Sequence, residues 1–574
     1  MRHVLSTVFA IVLCATSVWM TPGTADASSL AGSYLAGRHA SVQSDFQAAS
    51  DYYGQAMARD PGNADLMESA VLAYLALGNI RQAIPLAKAI TETGVRSQAA
   101  RMVITAGLVD EQDFETLAGR EVEDDGIGPW VDGLIKGWAY IGMDDVPAAV
   151  AHFDTLAQQP GMNGFVSYHK ALALASVGDF AGAEALFEAD APGAAARTRR
   201  GIMAHAEILS QLGRNEDALR EIRANFGNST DPELDIMIAA LEAGETLEFT
   251  HVPNARAGMA EVFFTFGAVL QAEQAGDYYT LLYTRVARYL RPSHMDALLL
   301  TADLLENLGQ YKLAIAEYRA VAADHPAYHA AELGRAAALR RMEKPEQAIE
   351  VLEQLTRSHG DLAIVHSTLG DVLRAEERYA EAIEAYDISL DLTAPDVNSR
   401  WFLHYVRGIS FERSGDSDAA ETDFRAALAI NPNQPQVLNY LGYSLVEQQR
   451  KLDEALEMIE RAVAASPDSG YIVDSLGWVY YRLGRYEEAV DQMERAVELE
   501  AVDPVVNDHL GDVYWAVGRY REAEFQWKRA LSFLEFNGTD TEADPDRIRR
   551  KLEVGLDAVL AEEGAEPLKV ANDD

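Results

Sequence analysis

Cysteine is almost missing from this sequence: among 574 residues the only one is Cys14. It lies inside an apolar run from Val4 to Met20, preceded by the polar Arg2 and His3 and followed by Ala25-Asp26-Ala27, an A-x-A cleavage pattern. Residues 1–27 therefore read as a secretory signal peptide. The run is too short and too poorly flanked for a good membrane span, with a retained anchor as the alternative. A lipoprotein signal needs a small residue before the cysteine, and Leu13 is not small. Signal removal would leave no thiol, which excludes disulfides, thiolate metal sites and cysteine nucleophiles together. No later stretch is apolar enough to cross a bilayer. The expected location is periplasmic or secreted, with the outer-membrane periphery open.

Basic residues are also scarce. There are 48 Lys and Arg against 90 Asp and Glu, a formal charge of -42. That excess argues against nucleic acid and anionic lipid as partners. Two readings of the acidity stand: a surface that attracts basic partners, or generic solubility, as in an acid-rich proteome from a salty habitat. Proline is sparse at 19 residues while Ala, Leu and Glu abound, a helix-favouring mix.

Chemistry-bearing motifs are missing too. There is no G-x4-G-K phosphate loop, no G-x-S-x-G elbow and no H-E-x-x-H. His325 and His329 have zinc-compatible spacing but straddle Pro326, which reads as turn histidines. Acidic pairs such as Glu376-Glu377 and Glu487-Glu488 lie at helix starts or turns, and nothing sets two carboxylates across a cleft. No segment outside the periodic part exceeds about 40 residues, too little for a catalytic domain. The expectation is no enzyme, no metal and no cofactor.

What the sequence has is a period. Gly408, Gly442, Gly477 and Gly511 are spaced by 34, 35 and 34 residues, and Ala420, Ala455, Ala489 and Ala523 keep step with them, as do Ala427, Ala462, Ala496 and Ala530. A small residue at the eighth position of a first helix lets a second helix approach closely. Gly484 and Gly518 supply left-handed stops between the two. The second helix then presents Ala489, Met493 and Ala496, or Ala523, Trp527 and Ala530, at spacings of four and three, hence on one face. Trp527, Tyr480, Tyr486, Tyr514 and Tyr520 fall on these packing positions and are expected in the core.

This pattern resembles the tetratricopeptide repeat, W-x2-L-G-x2-Y…A-x3-F…P, carried here by Val473, Leu476, Gly477, Tyr480, Ala489 and Ala496. The resemblance implies an all-α fold: a right-handed superhelical solenoid of about 13 helix-turn-helix repeats with a C-terminal capping helix. Units near 295–328, 329–362, 363–396 and 401–434 follow the scheme, and a poorer one lies near 261–294. The N-terminal half is looser. Residues 95–129 and 226–260 break the rhythm. The expected organisation is a signal peptide at 1–27, an irregular solenoid at 28–243 and a joint at 244–260. A regular solenoid follows at 261–536, then a capping helix (Asp544 to Glu562) and mobile tail within 537–574.

In solenoids of this family the first helices line a concave groove through positions two, five, nine and twelve. Carried onto the last three units, this selects Asn439, Asp474 and Asp508 at position five, Tyr443, Trp478 and Asp512 at position nine, and Tyr481 and Trp515 at position twelve. Rings beside amide and carboxylate groups suit an extended peptide. The competing reading is that a neighbouring turn or the C-terminal helix covers this face. The Lys and Asn carboxylate clamp of chaperone-binding relatives is missing, so a free acidic C-terminus fits poorly as ligand.

A narrower likeness rests on the signal peptide, the repeat number and the stretch NYLGYSLVEQQRKLDEALEMIERAV…YIVDSLGWVYYRLGRYEEAV. It looks like a group of Gram-negative envelope proteins. One type is an outer-membrane lipoprotein acting as adaptor for a carboxyl-terminal processing protease that controls cell-wall hydrolases; the present chain lacks the lipoprotein cysteine. The resemblance implies a protein-binding scaffold whose partners are other proteins or extended peptides, basic ones included. The alternatives are a structural or assembly factor for outer-membrane proteins or envelope polysaccharide export, or a subunit of an enzyme complex.

Overall fold

A computed structural model describes residues 29–120, 126–188, 195–227, 231–395, 397–537 and 543–564. The expected signal peptide and the tail from 565 lie outside the described residues, as does the acidic stretch 121–125. Among the described residues every regular element is helical.

Local chemistry accounts for the helix ends. Asp145, Asp179, Asp416 and Asp503 cap first turns by accepting backbone N–H bonds, leaving fewer orphan donors. Gly484 and Gly518 adopt φ of 75° and 78°, the left-handed stops the sequence calls for. Consecutive helices then pair through glycine. A Cβ at Gly408 would lie 2.8 Å from the Phe424 ring, one at Gly477 2.7 Å from Met493, and one at Gly511 2.4 Å from Trp527. Phe424, Met493 and Trp527 are fully buried, each contributing roughly 2–3 kcal/mol by area.

The chain divides into two compact units, one ending at Lys344 and one starting at Pro345. The sequence instead places its joint at 244–260. In the structure, residues 247–251 form a strap bonded to the first unit: the Glu207 carboxylate accepts the Thr250 and His251 N–H groups, both at 3.0 Å. The helix expected near 261 starts earlier, as Ala255–Ala272, because Asn254 caps it by accepting from Ala257 N–H.

The first unit departs from nearest-neighbour stacking. Helix Ala255–Ala272 packs on Pro129–Gly142 and Asn163–Ser176, and its partner Asp277–Leu290 packs on Ala64–Leu77 and Gln98–Asp110. All four contacted elements are first helices of upstream pairs. The pair 255–290 thus fills the face that first helices present. Thr280 to Ala287 is buried without interruption, and the one charged group in that run, Arg285, is satisfied by the Ala76 carbonyl and Glu317.

The second unit is a regular stack. Pairs Ala363–Ala375 with Tyr379–Leu392, Arg400–Arg413 with Ser417–Ile430, Pro435–Glu447 with Leu452–Ala465, Gly470–Arg482 with Tyr486–Leu499, and Pro504–Ala516 with Tyr520–Asn537 each pack internally and on the next. First helices also touch first helices, Pro435–Glu447 on Gly470–Arg482 and the latter on Pro504–Ala516, which makes their side concave. The capping element is two helices, Pro545–Val554 and Leu556–Glu562, where the sequence suggests one: Gly555 takes φ 85° and turns the chain.

Tyr486 and Tyr514 are buried as expected, but Tyr520 is 51 % exposed. It sits at the start of its helix and meets the Trp515 ring edge-on at 4.6 Å rather than entering the core.

Candidate functional site

In the first unit the concave side is closed by the chain itself. Glu261 is the centre of the closure. It accepts from Tyr168 Oη at 3.0 Å, pairs with Arg200 at 2.8 Å and contacts His294 Nε2 at 3.2 Å. Burial would raise its carboxyl, but Arg200 and His294 hold it well below the usual range. Further along, Arg256 pairs with Asp110 at 2.8 Å, and Arg285 Nε donates to the Ala76 carbonyl at 2.8 Å.

The second unit keeps part of its concave side open. A cavity of about 930 Å³ runs over the first helices from Arg400–Arg413 to Pro504–Ala516. Of the residues the sequence selects, Asn439, Tyr443 and Asp474 line it. The Asn439 Oδ1 is buried without a hydrogen-bond partner, an unsatisfied acceptor beside the cavity. Asp474 pairs with His509 Nδ1 at 3.0 Å. Burial would lower this imidazole, but the Asp474 carboxylate outweighs it and raises the pKa.

The other selected residues lie deeper or are covered. Trp478 is 9 % exposed, stacked between His509 at 4.1 Å and Tyr481 at 4.8 Å, and its Nε1 donates to Glu447 at 2.7 Å. Asp508, Asp512 and Trp515 lie under the C-terminal helices. Lys551 Nζ contacts both Asp508 oxygens at 2.9 Å and Asp512 at 2.6 Å, and Trp515 Nε1 donates to Asp557 at 2.9 Å. The eight residues are therefore split between an open stretch and a covered one. A smaller cleft of about 310 Å³ beneath those helices includes Trp478, Tyr481, Asp508 and Asp512.

Position two of the first helices carries exposed apolar side chains, of which Tyr471 lines the cavity. Ile364, Phe402 and Tyr471 are 54, 44 and 56 % exposed. Large apolar side chains held in water along one face mark a contact surface. Counting back six residues from Gly370, Gly408 and Gly477 finds them. The cavity wall is otherwise acidic, with Glu412, Glu447, Asp474 and Asp503 against Arg413 and His509.

The sequence-selected turn histidines act as such: His325 Nδ1 accepts from Ala327 N–H at 3.0 Å, and His329 Nδ1 contacts the Pro326 carbonyl at 2.9 Å.

Comparison with known proteins agrees with the repeat geometry. Tetratricopeptide repeat patterns match residues 43–106, 281–329, 333–397, 405–470 and 444–504. A TPR repeat-containing protein of Pseudomonas aeruginosa is 29 % identical over 156 residues, which cover 27 % of this chain and 26 % of that protein. The human protein O-mannosyl-transferase TMTC1 is 26 % identical over 173 residues, covering 30 % of this chain and 20 % of that protein. The chain thus spans about a quarter or less of the length of these curated relatives. The solved APC/C hetero-tetramer Cut9-Hcn1 is similar at 14 % identity and TM-score 0.38, over 92 % of this chain and 97 % of that one. The all-helical pairs, their glycine-mediated packing and the matched segments together make this chain a carrier of tetratricopeptide repeats with the solenoid fold of that repeat.

Proposed function

We propose that this chain is a non-catalytic protein-binding scaffold of the bacterial envelope, and that the open concave stretch of its second unit holds an extended, basic segment of a partner. The observation that carries this reading is the 930 Å³ cavity with its exposed Tyr471, its unpartnered Asn439 acceptor and its acidic wall. Tyr443 and Tyr471 supply apolar contact, Asn439 meets a peptide N–H, and Glu412 and Asp503 attract cationic side chains. The mechanism is passive: a preformed surface raises the local concentration of what it holds. By resemblance to envelope adaptors, the partners are a processing protease and its cell-wall hydrolase substrates, and the location is periplasmic.

The test uses the full chain on a resin, exposed to envelope extract, beside a Tyr443→Ala, Tyr471→Ala double variant. The variant should keep its circular dichroism spectrum and lose the proteins retained by the parent. Retention of every partner by the variant would remove the open stretch as the binding site. Cell fractionation that leaves the chain in the cytoplasm would remove the envelope assignment.

A further inference from the structure

Four of the five residues 547–551 are basic, in a chain of net charge -42. They lie on helix Pro545–Val554, and two of them face the concave acids. Lys551 has no exposed side-chain surface and sits between Asp508 and Asp512, with its Nζ 5.7 Å above the Trp527 ring. Arg547 approaches Asp512 at 3.5 Å. The other two, Arg549 and Arg550, pair within the hairpin itself, with Asp546 and Glu562. Apolar anchoring comes from Ile548, Leu556 and Val559, all buried.

The place of this contact is informative. Asp508 and Asp512 are the fifth and ninth residues of their first helix. The same rows one and two pairs earlier are Asp474 with Trp478 and Asn439 with Tyr443, which line the open cavity and its continuation. Cavity and cleft share Tyr443, Glu447, Val505 and His509, so they are one groove, and the hairpin occupies its downstream end. The chain places in its own groove an amphipathic helix whose lysine enters a pair of carboxylates.

We propose that the surface built by Asp508, Asp512 and Trp515 is a receptor for a lysine-bearing amphipathic helix, that residues 545–562 are its resident occupant, and that a partner helix of the same chemistry exchanges with it. Charge complementarity selects this occupant: an acidic or uncharged helix would leave two buried carboxylates without a cation. The proposal rests on the concave face being the partner surface, but not on what fills the open stretch.

The experiment titrates a fluorescein-labelled synthetic peptide of residues 543–564 into the full chain and follows anisotropy. The parent, Lys551→Glu and Lys551→Ala are compared, with circular dichroism to confirm intact repeats. The peptide should bind both variants at least tenfold more tightly than the parent, since the resident helix has lost its anchor and competes less. Adding Asp508→Asn and Asp512→Asn should abolish this binding, and a scrambled peptide of equal charge should not bind. Absence of saturable binding to either Lys551 variant, equal affinity for the parent, or persistence without the two carboxylates would overturn the proposal. Partner capture dependent on Tyr443 and Tyr471 is read separately, so either result can fail while the other holds.

Discussion

The glycine contacts between paired helices make a sharp comparison possible, because two equivalent positions face different neighbours. Gly477 and Gly511 occupy the same place in successive repeats. A Cβ at Gly477 would meet Met493 Cγ at 2.7 Å, and relieving that contact needs a rotation about the first side-chain bond of an unbranched, flexible residue. A Cβ at Gly511 would lie 2.4 Å from two atoms of the Trp527 indole. That ring is fully buried, and its Nε1 donates to Asp512 at 2.9 Å. Shifting it costs about 1–3 kcal/mol in overpacking and about 1–2 kcal/mol for the strained buried hydrogen bond. Replacing glycine by alanine in a helix returns about 1 kcal/mol. Gly511→Ala should therefore lose about 1–4 kcal/mol, and more than Gly477→Ala, whose neighbour is the more deformable. Solenoids unfold locally, so the assay is amide hydrogen exchange of 504–537 against 470–499, supported by urea titration. A Gly511→Ala chain as stable as Gly477→Ala would refute the claim that ring rigidity, rather than mere proximity, governs the pairing.

Glu261→Gln should destabilise the first unit by about 3 kcal/mol, because Arg200 loses a buried countercharge; accelerated exchange across 255–272 would report it. His205 lies between Glu184 at 2.5 Å and Glu221 at 2.7 Å, and although burial would lower it, the two carboxylates raise it to about 9. A pKa raised above its unfolded value stabilises fully below about pH 6.5, and that contribution fades as pH climbs through 9. Exchange protection of 199–226 should thus fall between pH 6.5 and 9.5, corresponding to at most about 3 kcal/mol, and His205→Gln should flatten the dependence.

Fold class and the helix pairing of the regular repeats were legible because both follow from contacts close in sequence. Gly408 and Phe424 are 16 residues apart, as are Gly477 and Met493 or Gly511 and Trp527, and one period of small residues announces them all. Positions five and nine of the groove followed from the same register. The hairpin 255–290 reads in the sequence as a poorer repeat near 261–294, and its crowded aromatics, Phe263, Phe264, Phe266, Tyr278, Tyr279 and Tyr283, go with its enclosure by upstream first helices in the structure. Periodicity found the repeat there and missed that first helices of upstream pairs enclose it.

By itself the sequence determined that helices form, where they stop and how each pair nests, since caps, left-handed glycines and small-residue spacing act within one repeat. Only the tertiary structure decided which concave surface stays open. That choice depends on Arg256 meeting Asp110 in the first unit and Lys551 meeting Asp508 in the second, pairs 146 and 43 residues apart. No period of 34 encodes such partners; they are set by where the folded chain returns upon itself and by the charge it carries there.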